Sequence, residues 1–99
     1  MQYLIIAYDG KDEKALERRM RIREDHLKLA KENYKNGILL YAAGILNDDG
    51  NMIGSVLLCE FPSRKELDQW LKIEPYVTGN VWQTIDVSRA QVPRFCMKD

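Results

Sequence analysis

The chain has 99 residues, of which 45% are hydrophobic and 30% are charged, a composition that excludes a disordered or collagen-like protein. Fifteen basic and fifteen acidic side chains cancel, so no overall positive field is available to attract nucleic acid or anionic lipid. The length predicts a single domain over residues 1–99, and a chain this short buries only roughly 60 to 70% of its unfolded surface, which favours association between copies.

The N-terminal residues lack the features of a targeting segment. Residues 1–7 contain no basic stretch and run directly into Asp9 and Gly10, whereas a membrane span needs about 20 consecutive apolar residues. The two cysteines, Cys59 and Cys96, lie far apart in the sequence, and thiols of intracellular chains normally stay reduced. We therefore expect a cytoplasmic protein with two free thiols and no membrane partner.

The first part of the chain predicts a strand followed by a long helix. Residues 2–8 are almost all apolar, β-branched or aromatic, and Asp9 with Gly10 then gives a turn signal. Residues 13–36 are rich in good helix formers. Apolar side chains recur there at helical spacings and predict the apolar stripe of the helix, namely Leu16, Met20, Leu27, Ala30 and Tyr34.

The second part predicts a hairpin, a short helix and a last strand. Two apolar runs, 38–46 and 53–61, are separated by a segment in which residues 47–51 are all turn formers and include an Asp-Gly pair. Ser63 stands three residues before Glu66, the capping-box spacing, and Pro75 ends the helix that follows. Residues 81–87 form the final strand, so we expect a folded core over 1–87 and a polar tail over 88–99.

The order βαββαβ predicts a ferredoxin-like α+β fold, a four-stranded antiparallel sheet with both helices on one face. Alternate residues of the first strand are apolar on both sides, with Ile5 pointing one way and Leu4 and Ile6 the other. Because two helices cover only one face, the second face needs another surface. We therefore expect a homodimer packed sheet to sheet, which is the dimeric α/β barrel, with further association left open.

His26 is the only histidine, and histidine is the side chain that most readily exchanges a proton near neutral pH. On a helix it shares a row with Arg19 and Arg23 at the border of the apolar stripe. One interpretation is a boundary histidine that solvent or a nearby carboxylate satisfies. The other interpretation is an acid–base residue, and position alone does not separate the two.

Two further clusters could belong to a site. Glu74, Pro75 and Tyr76 lie between the second helix and the last strand. A purely structural interpretation makes Pro75 a helix stop and Tyr76 a packing aromatic. It does not explain the carboxylate of Glu74. Gly44 and the Gly54-Ser55 pair flank the predicted hairpin. Glycines inside strands often mark a close approach of backbone or ligand, although the turn alone could explain these.

Taken in this order and spacing, these features resemble the YCII-related (YciI-like) protein family over residues 1–87. The features that carry the resemblance are the apolar first strand, the R-x-x-H element of Arg23 and His26, Ala43-Gly44-x-Leu46, Gly54-Ser55, Trp70, and Glu74-Pro75-Tyr76.

The resemblance implies a dimeric ferredoxin-like α/β barrel with a histidine–carboxylate pair in a pocket. That pair falls on His26 and Glu74 as the catalytic residues, with Arg23, Ser55 and Tyr76 as substrate-binding residues. The acidic residue is usually Asp in the family, so Glu74 extends its carboxylate one methylene further. One studied group of relatives removes chloride from a chlorinated hydroxyquinol.

The predicted lengths raise a geometric question about the first helix. A helix of 24 residues would span about 36 Å, whereas a seven-residue strand spans about 23 Å. We therefore expect a break near residues 21–23, which would place His26 in the first turn of the remaining segment. The loop before the last strand lies at that same end of the sheet, so His26 would then lie close to Glu74.

These features favour a small-molecule enzyme in which His26 acts as general acid or base and Glu74 supports it. Elimination, lyase or isomerase chemistry would suit the pair, without a cofactor. One histidine and two remote cysteines are too few for a metal site. The alternative is a non-catalytic metabolite-binding or accessory dimer. A nucleic-acid module is disfavoured because residues 53–58 lack the aromatic strand motif of RNA-recognition domains.

Overall fold

The structure is a computed structural model that describes residues 1–97. Its elements, in chain order, are β1 (Gln2–Asp9), α1 (Ala15–Lys35), β2 (Leu39–Leu46), β3 (Met52–Glu60), α2 (Arg64–Leu71), α3 (Pro75–Thr78), β4 (Trp82–Ala90) and a 3₁₀ helix (Arg94–Cys96). The strands form one antiparallel sheet in the order β2-β3-β1-β4. The ferredoxin-like sheet predicted from the sequence is confirmed.

The register of β1 fixes which side chains face the helices. Ile5 lies opposite Leu57 of β3, and both are buried in the core. Because side chains alternate along a strand, Leu4 and Ile6 point to the other side of the sheet, which we call the open face. Its residues are apolar along β1, β3 and β2 and polar along β4, namely Leu4, Ile6, Val56, Leu58, Tyr41, Ala43 and Ile45, with Thr84, Asp86 and Ser88.

The helix after β3 begins as its sequence predicts. Ser63 has extended backbone angles and its hydroxyl accepts a hydrogen bond from the backbone N–H of Glu66. This contact satisfies one of the N–H groups that have no partner within the helix. Leu67 and Trp70 then point into the core on one side of α2.

The first helix buries a different face from the one predicted. Leu16, Met20, Leu27 and Tyr34 are exposed in the single chain, and Ala30 is half-buried. The buried side chains of α1 are mostly polar, namely Ala15, Arg19, His26 and Asn33. The predicted stripe was wrong because Arg19 and His26 have buried partners on the sheet side, which hydropathy alone does not reveal.

The expected break in the first helix does not exist. α1 runs without interruption from Ala15 to Lys35, and His26 lies near its middle. The helix has 21 residues and spans about 31 Å, while the eight residues of β1 span about 26 Å. The difference is about one helical turn, so no break is needed to place the helix on the sheet.

A third, short helix was missed in the sequence. α2 ends at Leu71, before it reaches Pro75, and Pro75 occupies the first turn of α3, where its fixed φ angle suits a helix start. α3 packs closely on α1, because a Cβ atom at Gly79 would lie 3.0 Å from the Ile22 side chain. This contact places the end of α3 against α1.

The last strand continues beyond the predicted boundary at residue 87 and ends at Ala90. The segment after it returns to the sheet, where the backbone N–H of Val92 donates to the Gln2 side chain at 2.6 Å. Residues 98 and 99 of the predicted tail lie outside the described residues. Within the described range, no helix is both long enough and apolar enough to cross a membrane. The cytoplasmic location stays a prediction.

Both cysteines are free, and their surroundings differ. Cys59 lies in β3 and is buried in the core, and burial, with a smaller contribution from the negative charge of Glu74, raises its pKa to about 12. Cys96 is exposed. Because the thiolate is the reactive form, we expect a soluble disulfide reagent at pH 8 to label Cys96 rapidly and Cys59 only after unfolding. Rapid labelling of two thiols per folded chain would contradict this placement of β3.

Candidate active site

The site begins with Glu74, which caps α3. Its side-chain Oε1 accepts a hydrogen bond from the backbone N–H of Tyr76 at 2.9 Å, and its backbone is extended as an N-cap requires. Glu74 is fully buried. The capping bond fixes the side chain's direction, so the carboxylate points at α1.

His26 contacts the same carboxylate oxygen. The distance from His26 Nδ1 to Glu74 Oε1 is 2.7 Å, and both side chains are buried. A carboxylate oxygen can only accept, so Nδ1 carries the proton and donates it. The structure therefore brings together the pair that the sequence predicted, while its catalytic role stays a prediction.

Tyr76 holds the imidazole from the side. The two rings stack with centroids 3.9 Å apart and planes 10° from parallel, and Trp82 meets His26 edge-on at 5.8 Å. Tyr76 is almost completely buried, and burial raises the pKa of its phenol, an effect that nearby arginine charges partly offset. In this structure Tyr76 orients His26. A contact between Tyr76 and a substrate stays a prediction.

Ser55 is the hydrogen-bond acceptor at the centre of a second polar group. Its Oγ accepts from Arg19 Nη2 at 2.8 Å and from Trp82 Nε1 at 3.1 Å. Gly54 precedes it because β1 runs very close there: a Cβ atom at Gly54 would overlap the carbonyl oxygen of Ala7. The strand position of Ser55 is thus fixed by the backbone as well as by its partners.

Arg19 links this group to the end of β1. Its Nη1 donates to both carboxylate oxygens of Asp9, at 2.9 and 3.1 Å, and the side chains of both residues are buried. Burial raises the pKa of Asp9 more than the neighbouring Arg19 lowers it. The Arg19 guanidinium also lies 4.6 Å from the centre of the Tyr76 ring, so the two polar groups share Tyr76.

Arg23 does not join this network. It is half-buried, and no hydrogen bond from its guanidinium reaches another described residue, although its charge affects Tyr76. The sequence singled out Arg23, but the structure places Arg19 against Ser55 instead. The signal that could have identified Arg19 is its spacing, because seven residues are about two helical turns and put Arg19 and His26 on one face.

Asp9 and Trp82 were also missed as site residues. In the sequence, Asp9 belongs to a turn signal and Trp82 to an apolar strand, so neither residue indicates a site. The sheet order brings them near Arg19, since β1 lies between β3 and β4.

Two polar atoms of the cluster have no hydrogen-bond partner among the described residues. Glu74 Oε2 and Arg19 Nε are both buried and unpaired. Unpaired buried polar atoms are rare in folded proteins because each one costs free energy. They mark this cluster as a place where further polar contacts could form.

Two cavities flank the cluster along α1. The larger, of about 940 Å³, lies along α1 and the edge strand β2 and is lined in part by Leu27, Ala30 and Ala42. The smaller, of about 310 Å³, is lined in part by Asp9 and Ala15. Neither is lined by His26 itself.

The edge strand leaves open space beside Ser55. Gly44 lies opposite Ser55 in the pairing of β2 with β3 and is exposed. Unlike Gly54, it has room for a side chain, since an added Cβ would meet only Met52 at ordinary contact distance. Small residues at Ala42 and Gly44 thus leave the helix-facing side of β2 unfilled.

Comparison with known proteins identifies related chains over almost the whole length. The model of the YCII-related domain matches residues 1–91. Protein YciI of Escherichia coli O6:H1 (strain CFT073) is 31% identical over 93 residues, covering 88% of this chain and 93% of that protein. Protein YciI of Shigella flexneri matches with the same figures.

Solved structures share the fold. The 5-chloro-2-hydroxyhydroquinone dehydrochlorinase of Burkholderia phenoliruptrix AC1100, solved with 2,5-dihydroxybenzoquinone, has a TM-score of 0.80 at 23% identity, covering 96% of this chain and 98% of its own. A dimeric ferredoxin-like protein of unknown function from Jannaschia sp. CCS1 has a TM-score of 0.56 at 17% identity, with coverage of 92% and 98%. At these identities, the likeness concerns the fold.

The buried Asp9–Arg19 pair gives a stability prediction. Asp9→Asn keeps the shape but leaves the Arg19 charge buried without its counterion, so we expect the free energy of unfolding in urea to fall by about 3–5 kcal/mol. The matched control is Asp12→Asn, which breaks the exposed Arg18–Asp12 pair and should change stability little. If the two variants lose similar free energies of unfolding, the buried charge of Arg19 does not depend on its carboxylate more than the exposed pair does.

Proposed function

The chain belongs to the YCII-related family, and we propose that it is a small-molecule enzyme in which His26 and Glu74 perform acid–base chemistry. The single observation that carries the proposal is the 2.7 Å contact between His26 Nδ1 and Glu74 Oε1. A histidine held by a buried carboxylate is the usual arrangement of a general base with its supporting group.

The contact assigns different roles to the two ring nitrogens. Because Nδ1 donates to Glu74, Nε2 of the neutral ring carries the free lone pair and acts as the base. When Nε2 takes a proton, the imidazolium lies against the Glu74 carboxylate, which stabilises it. Tyr76 keeps the ring plane fixed through stacking, so Nε2 keeps one direction throughout.

This pair suits proton abstraction from carbon, followed by elimination or isomerisation. The carbon–hydrogen bond breaks, its proton passes to Nε2, and its electron pair forms a double bond. In an elimination the bond from the neighbouring carbon to the leaving group breaks, and the leaving group departs with that bond's electron pair. In an isomerisation the protonated His26 returns the proton to another atom. The dehydrochlorinase with the same fold supports a hydroxylated six-membered ring as the substrate class.

One observation favours the alternative of a non-catalytic metabolite-binding dimer. The larger cavity is lined by Leu27 and Ala30, which follow His26 in α1, but not by His26 itself. A ligand held only in that cavity would not reach Nε2. The two functions therefore differ in whether a bound compound exchanges protons with His26.

Hydrogen exchange at carbon separates the two functions. 2,5-Dihydroxybenzoquinone has ring hydrogens that exchange through a keto form, and mass spectrometry in deuterium oxide follows the exchange. We expect the native protein to accelerate it and His26→Ala to lose about 10²- to 10⁴-fold of the acceleration, the usual contribution of a general base. The matched control is Lys28→Ala, an exposed position on the same helix, which should exchange like the native protein.

Two outcomes would contradict the enzyme proposal. If His26→Ala accelerates exchange as well as the native protein does, His26 is not the base. If the native protein binds the quinone saturably without accelerating exchange, the metabolite-binding alternative becomes the better function.

We also propose that the active form is a dimer packed through the open face. The apolar side chains of β1, β3 and β2 on that face, such as Leu4, Ile6 and Leu58, are only partly buried in the single chain. A patch of this kind on a small domain favours a protein partner. The dimeric ferredoxin-like protein with the same fold supports a second copy as that partner. Closure into an α/β barrel and any larger assembly stay predictions.

A charge on the open face tests the dimer. We expect Ile6→Lys to shift sedimentation from the dimer towards the 11.6 kDa monomer, because a lysine in a dry interface loses its hydration. Gln69→Lys, which adds the same charge on the exposed side of α2, should remain dimeric. Native protein that sediments as a stable monomer at micromolar concentration would contradict the dimer. Ile5 is unsuitable for this test because it is fully buried under the helices, so a charge there should unfold the chain.

A further inference from the structure

The hydrogen bonds that Ser55 accepts leave its hydroxyl able to act only as a donor to a further partner. A serine hydroxyl has two lone pairs and one hydrogen. Both lone pairs are occupied, because Arg19 Nη2 and Trp82 Nε1 can only donate and both donate to Oγ. The hydroxyl hydrogen has no acceptor among the hydrogen bonds of the described residues.

The two donors are themselves held in place, so this state of Ser55 is built into the fold. Arg19 is fixed by two hydrogen bonds to Asp9 and by its contact with the Tyr76 ring. Trp82 is buried at the start of β4. Neither donor can turn away without leaving a buried N–H unpaired, which is costly.

The donors also strengthen the hydroxyl as a hydrogen-bond donor. One of them is a guanidinium, and hydrogen bonds in a chain polarise one another in a low-dielectric interior. Ser55 is almost completely buried, so water does not weaken the effect. An oxygen with negative charge is the best partner for such a hydrogen.

We propose that Ser55 binds an anionic oxygen of the ligand, a phenolate or enolate oxygen on a small planar ring, through its hydroxyl hydrogen. Arg19 and Trp82 are the positioning residues that prevent the hydroxyl from accepting a hydrogen bond from the ligand. The inference rests on the function proposed above and adds its binding selectivity: the ligand is held as the anion, in the same cluster as His26.

The position of Ser55 relative to His26 supports this inference. Trp82 contacts both, since its indole N–H donates to Ser55 and its ring meets the imidazole edge-on. Gly44 leaves space beside Ser55 on the edge strand. The Ser55 hydroxyl, by donating to the ligand oxygen, would stabilise the negative charge that develops on this oxygen when His26 removes a proton from the ring.

The test compares two quinones that differ in charge. 2,5-Dihydroxybenzoquinone has acidic hydroxyl groups, whereas 2,5-dimethoxybenzoquinone has the same ring and no acidic hydrogen. By titration calorimetry at neutral pH we expect Ser55→Ala to weaken binding of the dihydroxy compound by about 10- to 100-fold, the usual effect of losing a hydrogen bond to a charged group. The dimethoxy compound should change by less than about threefold, and Ser55→Thr should restore most of the lost affinity.

A second measurement needs no variant at Ser55, because Ser55→Ala leaves two buried N–H groups unpaired and could fail to fold. The native protein should bind the dihydroxy compound at least about tenfold more tightly than the dimethoxy compound. Arg19→Lys should reduce that ratio, because a lysine replaces with one nitrogen the two separate nitrogens through which Arg19 contacts Asp9 and Ser55. An unchanged ratio in Arg19→Lys would remove Arg19 from the mechanism of selectivity.

The outcomes separate this inference from the proposed function. If Ser55→Ala binds the dihydroxy compound as tightly as the native protein, or loses both compounds equally, the role of Ser55 is wrong while the acid–base role of His26 stands. Equal native affinity for the two compounds also overturns the Ser55 inference alone. If the native protein binds neither quinone, the ligand class is wrong in both proposals.

Discussion

The site depends on one carboxylate oxygen. Glu74 Oε1 accepts a hydrogen bond from the backbone N–H of Tyr76 and another from the His26 ring, so it fixes the start of α3 and the direction of the imidazole together. α3 in turn supplies the Tyr76 ring that lies against both His26 and Arg19. Without this oxygen, the short helix, the stacked ring and the buried histidine would each lose their fixed positions.

The burial of this polar cluster explains the unusual first helix. A helix that buries Arg19 and His26 on its sheet side turns most of its large apolar side chains away from the core of the single chain. Buried charged and polar groups are tolerated only when they are paired, and the Arg19 and His26 side chains each have a carboxylate within 3 Å. Such an arrangement costs stability, and sites that need polar groups at fixed positions are where folded proteins accept that cost.

Local sequence patterns predicted the strands, the hairpin, the capping box at Ser63 and the ferredoxin-like order, because each of these depends on residues that are close together in the sequence. The resemblance of short motifs to a family predicted that His26 and Glu74 would meet. Patterns failed for α3, since Pro75 was interpreted only as a helix stop, whereas it starts this helix. They also failed for Arg19 and Asp9, whose pairing depends on the distance between β1 and α1 in the fold and leaves no mark in local sequence.

The contact between His26 and Glu74 is tested most directly by a long-range ¹H–¹⁵N NMR spectrum of the His26 side chain, recorded where the ring is neutral. The chain has a single histidine, so only one imidazole contributes. We expect a proton on Nδ1 in the native protein and the loss of this preference in Glu74→Met, which removes both carboxylate oxygens at similar length. A native spectrum with the proton on Nε2 would contradict the proposed roles of the two nitrogens, because Nε2 could then not serve as the base.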